Sequence, residues 1–103
     1  MTDLTVANTI RDQIGTIAFR LLGAEHLSGD DKSLSFRIRG SRKVNHVKVE
    51  LDDNDTYTMT FGKLTASTIK KVGNYKVVAK LDQIYADMLN QMIETHTGLY
   101  TRF

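Results

Sequence analysis

The sequence contains neither cysteine nor proline. Without cysteine, disulfide bonds and thiolate metal sites are excluded, and a reducing compartment is compatible with the composition. Without proline, no segment has the stiffness of a proline-rich interdomain linker. The 103 residues contain no internal repeat or low-complexity tract. This length suits one core of two packed layers, and we expect a single α+β domain over residues 1–103.

Long apolar runs are also missing, since none approaches the roughly 20 residues that span a bilayer. The first twenty residues carry Asp3, Arg11 and Asp12 at helical spacing, a pattern that differs from that of a signal peptide. We therefore expect a protein of the cytoplasm that has no membrane partner.

Charge is distributed unevenly along the chain. The net charge is only +2, but eleven of the fourteen Lys and Arg residues lie between Lys32 and Lys80, with only four acids among them. The segment "RIRGSRKVNHVKV", residues 37–49, has five cations and no acid. Such an asymmetry is typical of a surface that meets a negatively charged partner, although a solvated sheet face has the same pattern.

Residues 3–22 have the apolar period of an amphipathic helix. Asp3 or Thr5 can cap its first turn, and Gly23 is placed to end it. Gly15 lies in the middle of this segment, where glycine costs roughly 1 kcal/mol relative to alanine. The apolar face consists of Val6, Ile10, Ile14, Ile17, Ala18 and Leu21.

A second helix is predicted over residues 83–97, with Asp82 as its cap and Gly98 at its end. Its apolar face consists of Ile84, Tyr85, Met88, Leu89, Met92 and Ile93.

The middle of the chain alternates between apolar and polar residues, as half-buried strands do. Three such strands cover residues 33–39, 45–51 and 56–61, and the short turns "GSRK" and "DDND" join them into an antiparallel meander. Residues 75–81 favour a fourth strand after a turn at "GN". Residues 65–72 are compatible with an edge strand or a projecting arm. Residues 24–32 have the composition of a polar connection.

Both helices and one sheet face are amphipathic, so the economical fold is a two-layer α+β sandwich with both helices on the same face of the sheet. We expect one core cluster that includes Ile14, Ile17, Phe36, Val49, Phe61, Leu89 and Met92. The opposite, open face should carry Ser33, Ser35, Arg37, Arg39, His46, Lys48, Glu50, Thr58 and Thr60. No aromatic ring is expected on that face, because Tyr57 and Phe61 take the core phase.

Residue patterns for catalysis or metal binding are weak. The segment from Asp52 to Asp55 lacks the glycine and the glutamate that a calcium loop needs at its sixth and twelfth positions. His26, His46 and His96 lack metal-ligand spacing. No nucleophile motif or phosphate-binding glycine loop is present. We therefore expect a protein that is not an enzyme and that has no cofactor and no metal.

Six segments in order carry a resemblance across nearly the whole chain: "TIRDQIG", "LLGAEHL", "LSFRI", "NHVKVEL", "DTYTMTFG" and "IYADMLNQMIETHTGL". Together they resemble a family of small, functionally unassigned proteins encoded by tailed phages and prophages. The sequence departs from the family in having Met92 where an aromatic residue is usual. The resemblance implies a phage or prophage origin and a shared fold, and it carries no chemistry over to individual residues.

These observations leave two functional hypotheses and one simpler alternative. The basic residues can bind nucleic acid backbone or a nucleic-acid complex, or the protein can inhibit a host defence protein in the manner of an anti-CRISPR. The simpler alternative is a solvated face that keeps a small protein soluble. The candidate binding residues are Arg37, Arg39, Arg42, Lys43, Lys48, Lys70 and Lys71. The strand edge at residues 65–72 also suggests a two-fold homodimer.

Overall fold

The computed structural model describes residues 3–41, 43–66 and 73–101. It shows an α+β fold with an antiparallel sheet of five strands in the order β1-β2-β3-β4-β5. The helices are α1 (Thr5–Ile14), α2 (Thr16–Leu22) and α3 (Leu89–Thr97), and a short 3-10 helix at Ala86–Met88 precedes α3. The strands are β1 (Glu25–Gly29), β2 (Ser33–Arg37), β3 (His46–Leu51), β4 (Tyr57–Ala66) and β5 (Gly73–Ile84). The antiparallel meander is confirmed, but the prediction of three or four strands was too low.

The first helical segment is divided at Gly15. This residue has φ 94° and ψ 150°, a backbone conformation that glycine adopts far more readily than other residues. The break changes the helical phase, so that Ile14 is buried while Ile17 is 52% exposed. The prediction that Ile17 belongs to the core was therefore wrong. The predicted end at Gly23 is confirmed, since it takes the left-handed conformation with φ 64°.

Strand β1 was predicted as a polar connection. Only its first residue is half-buried, so it has no apolar alternation that could reveal it. Backbone pairing with β2 holds it in place, and a bulge and the positive φ of His26 interrupt that pairing. The following turn is closed by Asp30, whose Oδ1 accepts the backbone N–H groups of Lys32 and Ser33 at 2.9 and 2.8 Å.

Strand β5 extends further than residues 75–81, and it shortens the predicted second helix. The chain is extended to Ile84, and the α-helix begins at Leu89 and ends before Gly98, which has φ 74°. Asp82 therefore lies within the strand and does not cap the helix. Tyr85, predicted on the apolar face, is 60% exposed. Of the predicted segment 65–72, residues 65 and 66 end β4, and residues 67–72 lie outside the described residues.

One core cluster joins all three helices to one face of the sheet. The ring of Phe36 meets that of Phe19 edge-on at 5.2 Å, and Phe61 stacks against His96 at 4.9 Å. The break at Gly15 leaves the carbonyl of Ile14 free to accept the Asn90 Nδ2–H group at 3.0 Å, which ties α3 to the end of α1. Apart from Ile17, the predicted core residues are buried or packed against the cluster: Ile14, Phe36, Val49, Phe61, Leu89 and Met92.

Truncating Phe36 should test the assignment of the inward face. Phe36 is fully buried, so Phe36→Ala should lower the free energy of unfolding by about 3–5 kcal/mol. The exposed Ile17 is the matched control, and Ile17→Ala should change it by no more than about 0.5 kcal/mol. Urea unfolding followed by circular dichroism measures both. An unchanged midpoint for Phe36→Ala would show that β2 has been assigned the wrong face.

Candidate functional site

The face of the sheet opposite the helices is open and polar. Its side chains follow from the cross-strand register, in which Arg37 pairs with His46, Ser35 with Lys48, and Glu50 with Thr58. Strand alternation places these residues opposite the inward-facing Leu34, Phe36, Val47 and Val49. Ser33, also predicted on this face, is only 3% exposed, so it offers little surface to a partner.

On the open face, positive and negative side chains lie at opposite ends of the strands. Arg37 and Lys48 flank His46 near the β2–β3 connection, and Lys43 is exposed in that connection. We call Arg37, Lys43, His46 and Lys48 the basic surface. At the other end of the strands, a shallow depression brings three carboxylates together with one lysine; it is lined by Glu50, Asp52, Thr58, Lys80 and Asp82. The sheet therefore presents a positive end and a predominantly negative end.

Of the four other predicted binding residues, the structure describes only Arg39. Arg42, Lys70 and Lys71 lie outside the described residues. Arg39 lies beyond the end of β2, and its guanidinium donates to both carboxylate oxygens of Glu25, with Nε–Oε1 3.2 Å and Nη2–Oε2 2.8 Å. The hydrogen bond from Arg39 holds the pKa of Glu25 below its ordinary value. Arg39 is thus already engaged by an acid of β1, the strand predicted from the sequence as a polar connection.

Asn45 fixes the β2–β3 connection to the sheet. Its side-chain Nδ2 donates to the carbonyl of Leu64 at 2.9 Å, and its Oδ1 accepts the N–H of the same residue at 2.7 Å. Its own backbone N–H donates to the carbonyl of Gly62 at 3.0 Å. These three bonds continue the pairing with β4 on the N-terminal side of β3, and they anchor the connection next to the basic surface.

His46 is the half-buried residue at the centre of the basic surface. Desolvation lowers its pKa below the ordinary value of 6.5, and the positive charges of Arg37 and Lys48 lower it further. Its Nδ1 atom is buried and has no hydrogen-bond partner among the described residues. Its imidazole therefore stays neutral to a lower pH than that of an ordinary histidine.

Tyr75 brings an aromatic ring to the open face, contrary to the expectation that this face has none. Phe61 pairs with Ala79, but the next residue, Gly62, pairs with Val77, so Val78 is an extra residue in β5. This bulge reverses the phase of β5, and Tyr75 opposite Leu64 faces away from the core. The ring is 44% exposed and lies edge-on to His46 at a centroid distance of 5.5 Å.

Gly62 makes room for this ring. A Cβ atom at Gly62 would lie 2.3 Å from both Cζ and Oη of Tyr75, closer than real Cβ contacts come. The ring therefore occupies the space that a side chain on β4 would fill. A single glycine inside a strand is the sequence signal that could have indicated this close approach.

Comparison with protein-family models, with curated proteins and with solved structures found no match for this chain. Within the described ranges, no three His, Asp or Glu side chains are grouped so that they could hold a metal ion. None of the helices in those ranges combines the length and the apolar character that a bilayer crossing requires.

The lowered pKa of His46 predicts a loss of stability in mild acid. Well above pH 6.5 the residue is neutral in both the folded and the unfolded chain. As the pH falls below 6.5, the unfolded chain binds the proton first, so the free energy of unfolding decreases until the pH has passed the folded pKa. Three carboxylates also have lowered pKa values: Asp3, Glu25 and Asp30. Their ordinary pKa values are 4.5 or less, so their protonation changes the free energy of unfolding only at lower pH.

Urea unfolding at intervals between about pH 7.5 and 5 measures this effect. His46→Gln should show a shallower decline than the wild-type protein. The same pH dependence in both proteins would mean that His46 has the same pKa in the folded and the unfolded chain.

Proposed function

We propose that the protein binds the phosphate backbone of nucleic acids through the basic surface, as an accessory protein that is not an enzyme. The supporting observation is the placement of two cations on the open face beside His46: Arg37 is its cross-strand partner, and Lys48 lies two residues further along β3. Within the described ranges, neither cation lies within ion-pair distance of a carboxylate, whereas Arg39 does. Glu25 of β1 is the cross-strand partner of Arg37, but its carboxylate is hydrogen-bonded to Arg39, so a phosphate group can approach Arg37 and Lys48 without displacing an ion pair.

The geometry suits backbone contact better than base-edge readout. Arg37 and Lys48 extend from a sheet, where they can meet successive phosphates of a strand that crosses it. Contacts of this kind fix position and provide affinity, but they carry no sequence information. Arg42, Lys70 and Lys71 remain candidates for additional contacts on the same grounds of charge. With so few contacts, affinity should be modest and should depend strongly on salt.

The biological setting is part of the proposal. The resemblance to small phage proteins supports a role in the cytoplasm of a bacterial host, on nucleic acid or on a nucleoprotein complex. The principal alternative is an inhibitor that docks on a host defence protein. Exposed Val77 and Val78 on edge strand β5 favour this alternative, since the buried core of a protein interface is more apolar than the rest of the surface. The same edge is where a second copy of the chain could pair to form a homodimer.

Neutralising two cations of the basic surface should weaken nucleic-acid binding and make it less dependent on salt. Arg37→Ala/Lys48→Ala removes two phosphate contacts, so the slope of log K against log salt on duplex DNA should become shallower by about 1.8. The loss should be similar for unrelated sequences. Salt titrations of fluorescence anisotropy with DNA and RNA oligomers measure the slopes.

The matched control is Arg11→Ala/Arg20→Ala, which removes the same charge from exposed positions in the helices. It should leave the slope within experimental error of the wild-type value. Absence of any wild-type binding at about 50 mM salt would refute the nucleic-acid proposal, because backbone contacts are strong at that ionic strength. Salt-tolerant capture of a host protein would then favour the inhibitor.

Removing the carboxylate of Glu25 should strengthen binding. Glu25→Gln releases Arg39 from a solvent-exposed ion pair and removes the acid opposite Arg37, so the affinity for nucleic acid should increase by up to about fivefold. The measurement is the anisotropy titration at low salt. Asp12→Asn, which removes the carboxylate near Arg11 in α1, is the control. Equal effects of the two changes would indicate a response to net charge and not to Arg39.

A further inference from the structure

Tyr75 is built into the open face in a way that the proposed backbone contacts do not use. Three features hold its ring there: the bulge at Val78, the missing side chain at Gly62 and the edge-on contact with His46. The pKa of Tyr75 is raised by burial, which agrees with a ring that rests against the sheet. Nearly half of the side chain is nonetheless open to solvent.

The ring lies close to the cations of the basic surface. Arg37, His46 and Gly62 are cross-strand neighbours on β2, β3 and β4, and Tyr75 covers Gly62. Adjacent strands are about 4.8 Å apart, so roughly 10 Å separates Arg37 from the strand position that the ring covers. This is the scale of one or two nucleotides. A phosphate near Arg37 and a base over Tyr75 can therefore belong to the same short stretch of nucleic acid.

We propose that Tyr75 is a base-stacking position and that the preferred ligand of the basic surface is single-stranded nucleic acid. This inference rests on the proposed function. The bases of a duplex are covered by their neighbours, so an aromatic ring on a sheet can stack only on an unpaired base. A cationic groove combined with an aromatic platform is the usual means by which proteins bind single strands with little sequence preference.

The position is preorganised, which separates it from a merely exposed tyrosine. The neutral imidazole of His46 supports one side of the ring, and the sheet at Gly62 lies beneath it. Asn45 holds both ends of this arrangement, since its backbone bonds to Gly62 and its side chain bonds to Leu64, the cross-strand partner of Tyr75. Stacking on such a ring would require little reordering of the protein.

The test compares a labelled single strand of about 12 nucleotides with the duplex of the same sequence. Tyr75→Ala should weaken binding of the single strand by about five- to 150-fold, the range found when stacking rings are replaced by alanine. Duplex affinity should change less than about twofold, and the salt slope should be unchanged because the ring makes no ionic contact. Tyr75→Phe should retain the wild-type affinity, since the ring is kept.

Three further variants separate stacking of the ring on a base from packing of the ring within the protein. Gly62→Ala places a methyl group where the ring lies, so it should displace Tyr75 and reduce single-strand binding selectively. Tyr85→Ala, at another exposed tyrosine, is the control and should have no effect. Tyr75→Trp introduces the first tryptophan of the chain, and its fluorescence should be quenched when the single strand binds.

The outcomes distinguish this inference from the proposed function. If the wild-type protein binds duplex and single strand equally and Tyr75→Ala binds both as well as the wild type does, the stacking position is refuted while backbone binding stands. If Tyr75→Ala weakens both equally, the ring supports the fold of the basic surface and does not stack on a base. If no nucleic acid binds at low salt, both proposals are refuted.

Discussion

The extra residue Val78 in β5 determines which side chains of the β4–β5 pair face the core and which face the open side. On one side of the bulge, Ala79 and Leu81 pack against the core; on the other side, Val77 and Tyr75 turn outward. Without the bulge, Tyr75 would share the phase of Ala79 and face the core. Both the closure of the core and the composition of the open face thus depend on this local irregularity.

The meander could be predicted because β2, β3 and β4 each have one solvent-exposed face and one buried face. Polar and apolar residues therefore alternate along their sequences. Strand β1 could not be found in this way, since backbone bonds to β2 hold it and its side chains are mostly exposed. The predicted start of the last helix was too early because Ile84 fits the patterns of both a strand and a helix. It is buried at the end of β5, and it also lies four residues before Met88, which is the spacing of one helical face.

Part of the candidate site also followed from the sequence. The density of cations in residues 37–49 located the basic surface, and strand alternation put Arg37 and Lys48 on one face. The engagement of Arg39 could not be foreseen, because Glu25 is fourteen residues away in a segment that has no strand signal. The position of Tyr75 required a bulge, and bulges leave no periodic signature; only Gly62 hinted at it.

The charge arrangement opposes the protonation of His46 at the basic surface. Glu25 shows that this fold can provide an acid for an arginine, and the negative end of the sheet shows that carboxylates are tolerated on the open face. At His46, however, desolvation and the positive charges of Arg37 and Lys48 together lower the pKa, so protonation of the imidazole is unfavourable in the free protein. A phosphate bound beside the imidazole would offset those positive charges and raise the pKa of His46. Binding should therefore be linked to proton uptake, and affinity for polyanions should increase as the pH falls toward and below 6.5.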